Sequence, residues 1–229
     1  MILFENADVL ALDKPAGVSM ATSSRPGSAE EAVRRLLAAG GLAAEEPMPL
    51  LVHRLDVGTS GVVLLAKNDT AHRALSRALQ QKTAQKTYRA LVWGRPVPAR
   101  GTVDLPLARD PKDGRKMRAG KDGKPSVTRY ETLKRYAGLA DLRVFPETGR
   151  THQIRVHLSA KGHPIAGDDF YGGATRWRGV KDPALRGALR RLSRPLLHAE
   201  RIAVPEMGID VASPLPKDYE EILRLCGGC

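Results

Sequence analysis

The fifteen residues His53 to Lys67, HRLDVGTSGVVLLAK, decide how the rest of the chain is read. They set one acid, Asp56, in a tight polar turn (Val57-Gly58-Thr59-Ser60-Gly61) that passes directly into an apolar run of strand character, Val62 to Ala66. An acid so placed stands at the mouth of a sheet. It either closes an Asx-type turn on its own backbone or serves as a working carboxylate, and the fifteen residues alone leave both open.

Working outward, the Val62–Ala66 strand is followed by Asn68 and Asp69, either of which is able to cap a helix. Its apolar positions Ala71, Leu75, Ala78 and Leu79 fall at helical spacing. On the N-terminal side, Val9 to Leu12 reads as a buried strand stopped by Lys14-Pro15-Ala16-Gly17. Ser28 three residues before Glu31 has capping-box spacing for a helix lined by Val33, Leu36 and Leu37 and closed by Gly40-Gly41. Further on, Lys86 to Gly94 alternates as a strand with Tyr88, Ala90 and Val92 on one face. Residues 101–126, rich in Gly, Pro, Asp and Lys, predict a long exposed hairpin or loop. Val127–Leu133 and Leu139–Phe145 are strand candidates joined by a tight connection. Thr151 is the expected cap of a helix from Gln153 to near Gly162, on which Gln153, Arg155 and His157 are expected to face different ways. Asp182-Pro183 opens a basic helix, Ile202–Val204 is a strand, and a short helix runs from about Lys217 to Leu225. No repeat or composition break marks a second domain, so residues 1–229 are expected to form one. The class these elements predict is α+β, with a mixed, mostly antiparallel central sheet and flanking helices.

Composition narrows the chemistry. A net charge of +12 over 229 residues argues for a polyanionic partner. The excess is concentrated: 109–124 carries a net +4 and 175–194 a net +6, ten of the twelve charges. Aromatic residues make up only 4%, so base recognition should rest on one or two rings and not on a broad stacking platform. The six histidines form no HExxH-type pattern, no GxSxG or GxxxxGK[ST] motif occurs, and the terminal Cys226/Cys229 pair lacks further ligands nearby. The expectation is therefore no metal and no cofactor, with a carboxylate acting on a polyanion. An acid-containing N-terminus and the absence of a long apolar run predict a cytoplasmic protein without a membrane segment.

HRLDVGTSGVVLLAK resembles the signature motif of the RluA-type RNA pseudouridine synthases. The likeness extends to Asp13-Lys14-Pro15-Ala16-Gly17, Lys86-x-Tyr88-x-Ala90-x-Val92-x-Gly94, Gly149 to Leu158, Gly162-His163-Pro164-Ile165-x-Gly167-Asp168 and Leu197-His198-Ala199, in the family's order. The resemblance implies a stand-alone catalytic domain without an S4 module, with an RNA-binding cleft, acting on RNA (rRNA or tRNA) as a monomer and isomerising specific uridines to pseudouridine. It implies that Asp56 is the essential acid, as nucleophile or as the base that starts glycosidic cleavage. Such a carboxylate has to stay ionised where water is excluded, a desolvation cost that a cation offsets. By the same resemblance Arg155 is the candidate ion-pair partner, Tyr88 stacks on the extruded base, and Leu197 floors the pocket. Arg54, with His53, supports the Asp56 turn, and Arg150 and His157 are RNA or scaffold contacts. The target base has to be flipped out of its stack, with the two basic stretches gripping the backbone and 109–124 as the inserting element. The departures are Val204-Pro205, where the family usually continues to a His-Pro pair, and the poorly matching region 18–49. A catalytically silent RNA-binding protein of the same fold is the alternative, and a base-removing glycosidase using Asp56 a more distant one.

Overall fold

In the computed structural model, which describes residues 1–227, the chain forms two compact units: Met1–Lys86 with Ala199–Pro214, and Thr87–His198 with the chain from Leu215 on. The class is α+β with mostly antiparallel strands, as the sequence pattern predicts, and five α-helices among the described residues.

The first unit is built around β4 (Ser60–Ala66), every residue of which is buried. It pairs antiparallel with β2 (Val9–Lys14), from Val9 opposite Ala66 to Lys14 opposite Gly61. The outer neighbour of β2 is β1 (Ile2–Glu5), and β3 (Leu50–Leu51) lies on the other edge of β4. Apolar side chains of β2 and β4 pack with Ala71, Leu75 and Ala78 of α2 (Asp69–Gln81) and with Ile202, Val204, Ile209 and Val211. Asn68 caps α2, its Oδ1 accepting from the Ala71 N–H at 2.9 Å. The helix α1 (Ser28–Ala39) buries Val33, Leu36 and Leu37 as expected, but Ser28 does not cap it. Gly27, at φ 77°, holds the cap position, and the Ser28 hydroxyl donates to the Ser23 carbonyl instead.

In the second unit the strands run in the order β5 (Gln85–Trp93), β10 (Leu139–Pro146), β9 (Val127–Arg135), β6 (Arg100–Asp104), all antiparallel. The chain enters this unit within β5 and leaves it within β11 (Leu197–Val204), whose later residues pair with β12 (Ile209–Ala212). The stretch expected to be an exposed hairpin or loop contains a hairpin and, in addition, an edge strand. Its start forms β6 on the edge of the sheet, and β7 (Leu107–Arg109) pairs with β8 (Met117–Ala119) as a separate hairpin. The core gathers Ala90 to Trp93, Leu139, Leu142 and Val144 with Ile154 and Leu158 of α3 (Gln153–Ala160), Leu185 and Leu189 of α4 (Pro183–Arg190), and Tyr219 and Ile222 of α5 (Lys217–Gly227). Asp182 caps α4 through Leu185 N–H at 2.6 Å. Among the described residues no helix is long and apolar enough to cross a membrane.

Candidate active site

Asp56 is half-buried on the turn that feeds β4. The backbone closes that turn, with Thr59 N–H donating to the Asp56 carbonyl at 3.0 Å. Beneath it lies Lys14, fully buried. Its ammonium donates to the carbonyls of Thr59 at 2.8 Å, Pro15 at 3.0 Å and Val57 at 3.3 Å. Gly17 N–H adds a bond to the Val57 carbonyl at 2.7 Å. Lysine is the right residue for this task because its three donors leave on a flexible stem and its charge strengthens each bond. The Lys-Pro-Ala-Gly turn and the Asp56 turn thus brace one another, although 43 and 45 residues separate Lys14 from its two distant partners.

Gly61 closes the other end of the turn at φ 113°, and a Cβ there would stand 2.2 Å from the Ala199 carbonyl oxygen. Only glycine permits that backbone and that approach. His53 stands at the head of the motif, its Nε2 accepting from the Leu64 N–H at 3.0 Å. The imidazole continues the ladder on the edge of β4 where β3 ends at Leu65. Accepting at Nε2 requires the neutral ring. Burial, with the Lys86 charge nearby, pulls the His53 pKa down to about 4. Burial likewise lowers the pKa of Lys86. Arg54 is exposed and donates to the Thr22 hydroxyl at 2.9 Å.

The remaining expected site residues belong to the second unit. Tyr88 lies half-buried on β5, opposite Val144 of β10, and packs against the core in which Leu197 is buried. Arg155 on α3 is buried and makes a two-pronged pair with Asp168: Nε to Oδ2 at 2.8 Å and Nη2 to Oδ1 at 2.9 Å. Asp168 is fully buried, and its Oδ1 also accepts from the N–H groups of Phe170 at 3.1 Å and Tyr171 at 3.3 Å. The guanidinium lies 5.0 Å from the Tyr171 ring centre and 5.5 Å from that of Phe170. Asp168 was legible only as the last residue of the Gly162–Asp168 motif, although a buried arginine demands a carboxylate and Gly167-Asp168 supplies one.

Helix α3 differs from expectation at two points. Its cap position is His152, in the left-handed region at φ 54°, and not Thr151. No side chain caps the helix; the Gln153 side chain folds back on the preceding turn, its Oε1 accepting from the Arg150 N–H at 3.1 Å and from the Thr148 hydroxyl at 2.6 Å. Gln153 and His157 also converge and do not diverge: Gln153 Nε2 donates to Thr128 Oγ1 at 3.0 Å, and His157 Nδ1 meets the same hydroxyl at 2.9 Å. Residues four apart are only about 40° apart around a helix. His157 bonds the Leu105 carbonyl at 2.9 Å through its other nitrogen, and burial lowers its pKa, so its contacts are those of a scaffold residue.

Of the two basic stretches, the second is partly spent on the fold. Arg194 is buried in a two-pronged pair with Asp218, both bonds 2.6 Å, and Arg191 reaches Glu221 at 3.5 Å. In the hairpin, Arg115 pairs with Asp113 and Arg118 with Asp122, while Lys112, Lys121 and Lys124 have no carboxylate partner among the described residues. Of the terminal cysteines, Cys226 is buried on α5 and Cys229 lies outside the described residues.

Residues 8–160 match the family model described as RNA pseudouridylate synthase. The chain is 39% identical to an RNA pseudouridine synthase of Mycobacterium bovis, over 99% of this chain and 73% of the relative. It is 37% identical to the dual-specificity RNA pseudouridine synthase RluA of Escherichia coli K12, over 96% of this chain and 94% of that one. The solved structure of human RNA pseudouridylate synthase domain containing 4 superposes with a TM-score of 0.75 at 25% identity, covering 97% of this chain and 91% of the human one.

Proposed function

The chain belongs to the RNA pseudouridine synthase family, and from that premise we propose how its residues carry out the isomerisation of uridine in RNA. In that reaction the bond from ribose C1′ to N1 breaks, the base turns, and a C1′–C5 bond forms as the C5 hydrogen leaves as a proton. Asp56 is the catalytic carboxylate, as nucleophile at C1′ or as the base that starts the cleavage. Arg155 is the cation for that carboxylate, Tyr88 stacks on the extruded uracil, Leu197 is the apolar floor, and Arg54 supports the substrate side of the turn. The observation that carries this reading is the bracing of the Asp56 turn by buried Lys14 through the carbonyls of Val57 and Thr59. A carboxylate acting on one carbon of a flipped nucleotide has to be held still, and this is a costly way to hold a turn that had no such task.

The targets we propose are structured rRNA or tRNA, met in the cytoplasm by a monomer in which residues 1–229 act as one catalytic domain. The dual-specificity name of the Escherichia coli relative supports a substrate range wider than one RNA class. Tritium release from RNA carrying 5-tritiated uridine tests the reading. Isomerisation frees the label and leaves the chain intact. A silent binding protein frees none, and a glycosidase releases free uracil that still carries the label and leaves abasic sites.

A further inference from the structure

We propose that Tyr171 is a latch that fastens the basic β7–β8 hairpin to the helix carrying Arg155, and that this latch sets how tightly the hairpin grips RNA phosphates. The inference rests on the RNA-modifying reading above and names a positioning residue within it.

The hairpin is long, polar and basic, and it is tied to the body of its unit at few points. At its base Leu107 is buried and exchanges hydrogen bonds with Lys124. At the head of β8, Met117 N–H donates to the Tyr171 hydroxyl at 3.0 Å. The same hydroxyl is hydrogen-bonded to His152 Nδ1, 2.7 Å away. His152 is itself fixed, as the left-handed residue at the start of α3. The Tyr171 carbonyl accepts from Ser159 Oγ at 2.8 Å near the end of the same helix. Tyr171 therefore bonds both ends of α3 and the hairpin at once.

The rings reinforce the connection. Phe170 has Arg155 at 5.5 Å from its centre and, from the hairpin, Lys116 at 5.4 Å and Arg115 at 5.8 Å. His152 meets both rings edge to face, at 5.9 Å and 5.6 Å. Exposed Lys112, Lys121 and Lys124 are then left for phosphate oxygens. Cations on an arm already held in place lose less freedom when RNA arrives, so the latch converts a loose charge cluster into a grip.

The variant Tyr171→Phe tests this, since it keeps the ring over Arg155 and the backbone bonds while deleting the hydroxyl. The substrates are transcribed tRNA and large-subunit rRNA fragments carrying 5-tritiated uridine. The expected result is a KM about tenfold higher with kcat within about twofold of the parent. The dependence of log KM on log salt becomes shallower, and Met117 N–H exchanges faster in hydrogen-exchange measurements. The triple variant K112A/K121A/K124A raises KM in the same way, and its combination with Tyr171→Phe adds less than the product of the two effects. A KM and salt dependence unchanged in Tyr171→Phe would overturn the proposal, as would a fall in kcat alone or fully independent effects in the combination. If the parent releases no label from any RNA, the functional reading fails. The latch is then judged by Met117 exchange and filter binding of the same RNAs, where no change contradicts it.

Discussion

The Asp56 turn and the β7–β8 hairpin are both polar loops, yet they are held by opposite means. The turn is fastened from below by a fully buried lysine, closed by a glycine pressed against a backbone carbonyl, and continued by a strand buried along its whole length. The hairpin is dressed with exposed ion pairs, which contribute little because solvent screens them, and is fastened at its far end by one tyrosine hydroxyl. The difference matches the two tasks. A carboxylate that acts on one carbon has to be placed by the core, whereas an arm that follows a phosphate backbone needs only a defined resting position.

If that contrast holds, substitutions beneath the buried attachments should cost folding stability and substitutions on the arm should cost RNA affinity. The largest effect is expected at Gly61→Ala, where the added Cβ collides with the Ala199 carbonyl and the backbone sits at positive φ. A loss of about 4 kcal/mol or more in urea unfolding is expected, and a near-neutral result would mean that the turn is not clamped. Asp168→Asn comes next. It leaves the Arg155 charge buried beside a neutral amide and should cost about 3–5 kcal/mol by the same measurement.

His53 gives a smaller effect with a defined pH signature. The folded protein keeps this ring neutral down to about pH 4, while the unfolded chain takes up a proton near pH 6.5. Protonation therefore favours the unfolded state, and stability should fall by about 3 kcal/mol as pH drops from 6.5 to 4. His53→Gln should flatten that part of the profile; an equally steep loss in the variant would show that His53 is not its source. The smallest expected change is at Lys121→Ala on the arm. Its melting temperature should match the parent, while the slope of log RNA affinity against log salt should shrink by about 1. An unchanged slope would remove Lys121 from the grip.

The same contrast explains what could be read before the fold was known. The Asp56 turn, β4 and α2 follow one another in the chain, and local rules, an Asp-x-Gly-Thr turn, an apolar run and an Asn cap, all agree there. The latch joins Met117, His152 and Tyr171, which local patterns cannot connect. Short strands such as β1, β6 and β12 are too brief for a period to stand out and exist because neighbouring strands offer them partners. At α3, propensity pointed to Thr151 as the cap, but the His152 backbone turns left-handed and Gln153 folds back on Arg150. Lys14 and Asp168 were each visible only as part of a motif. What each does depends on being buried, and burial is a property of the assembled unit.

The central claim is that Asp56, held by this turn, starts the glycosidic cleavage. It is tested most directly by tritium release from 5-tritiated uridine RNA with Asp56→Asn beside the parent, at matched folding and RNA binding. The expected result is full binding with label release lowered by a factor of about 10² to 10⁴ or more. Label release at the parental rate would contradict it and move the chemistry to another residue.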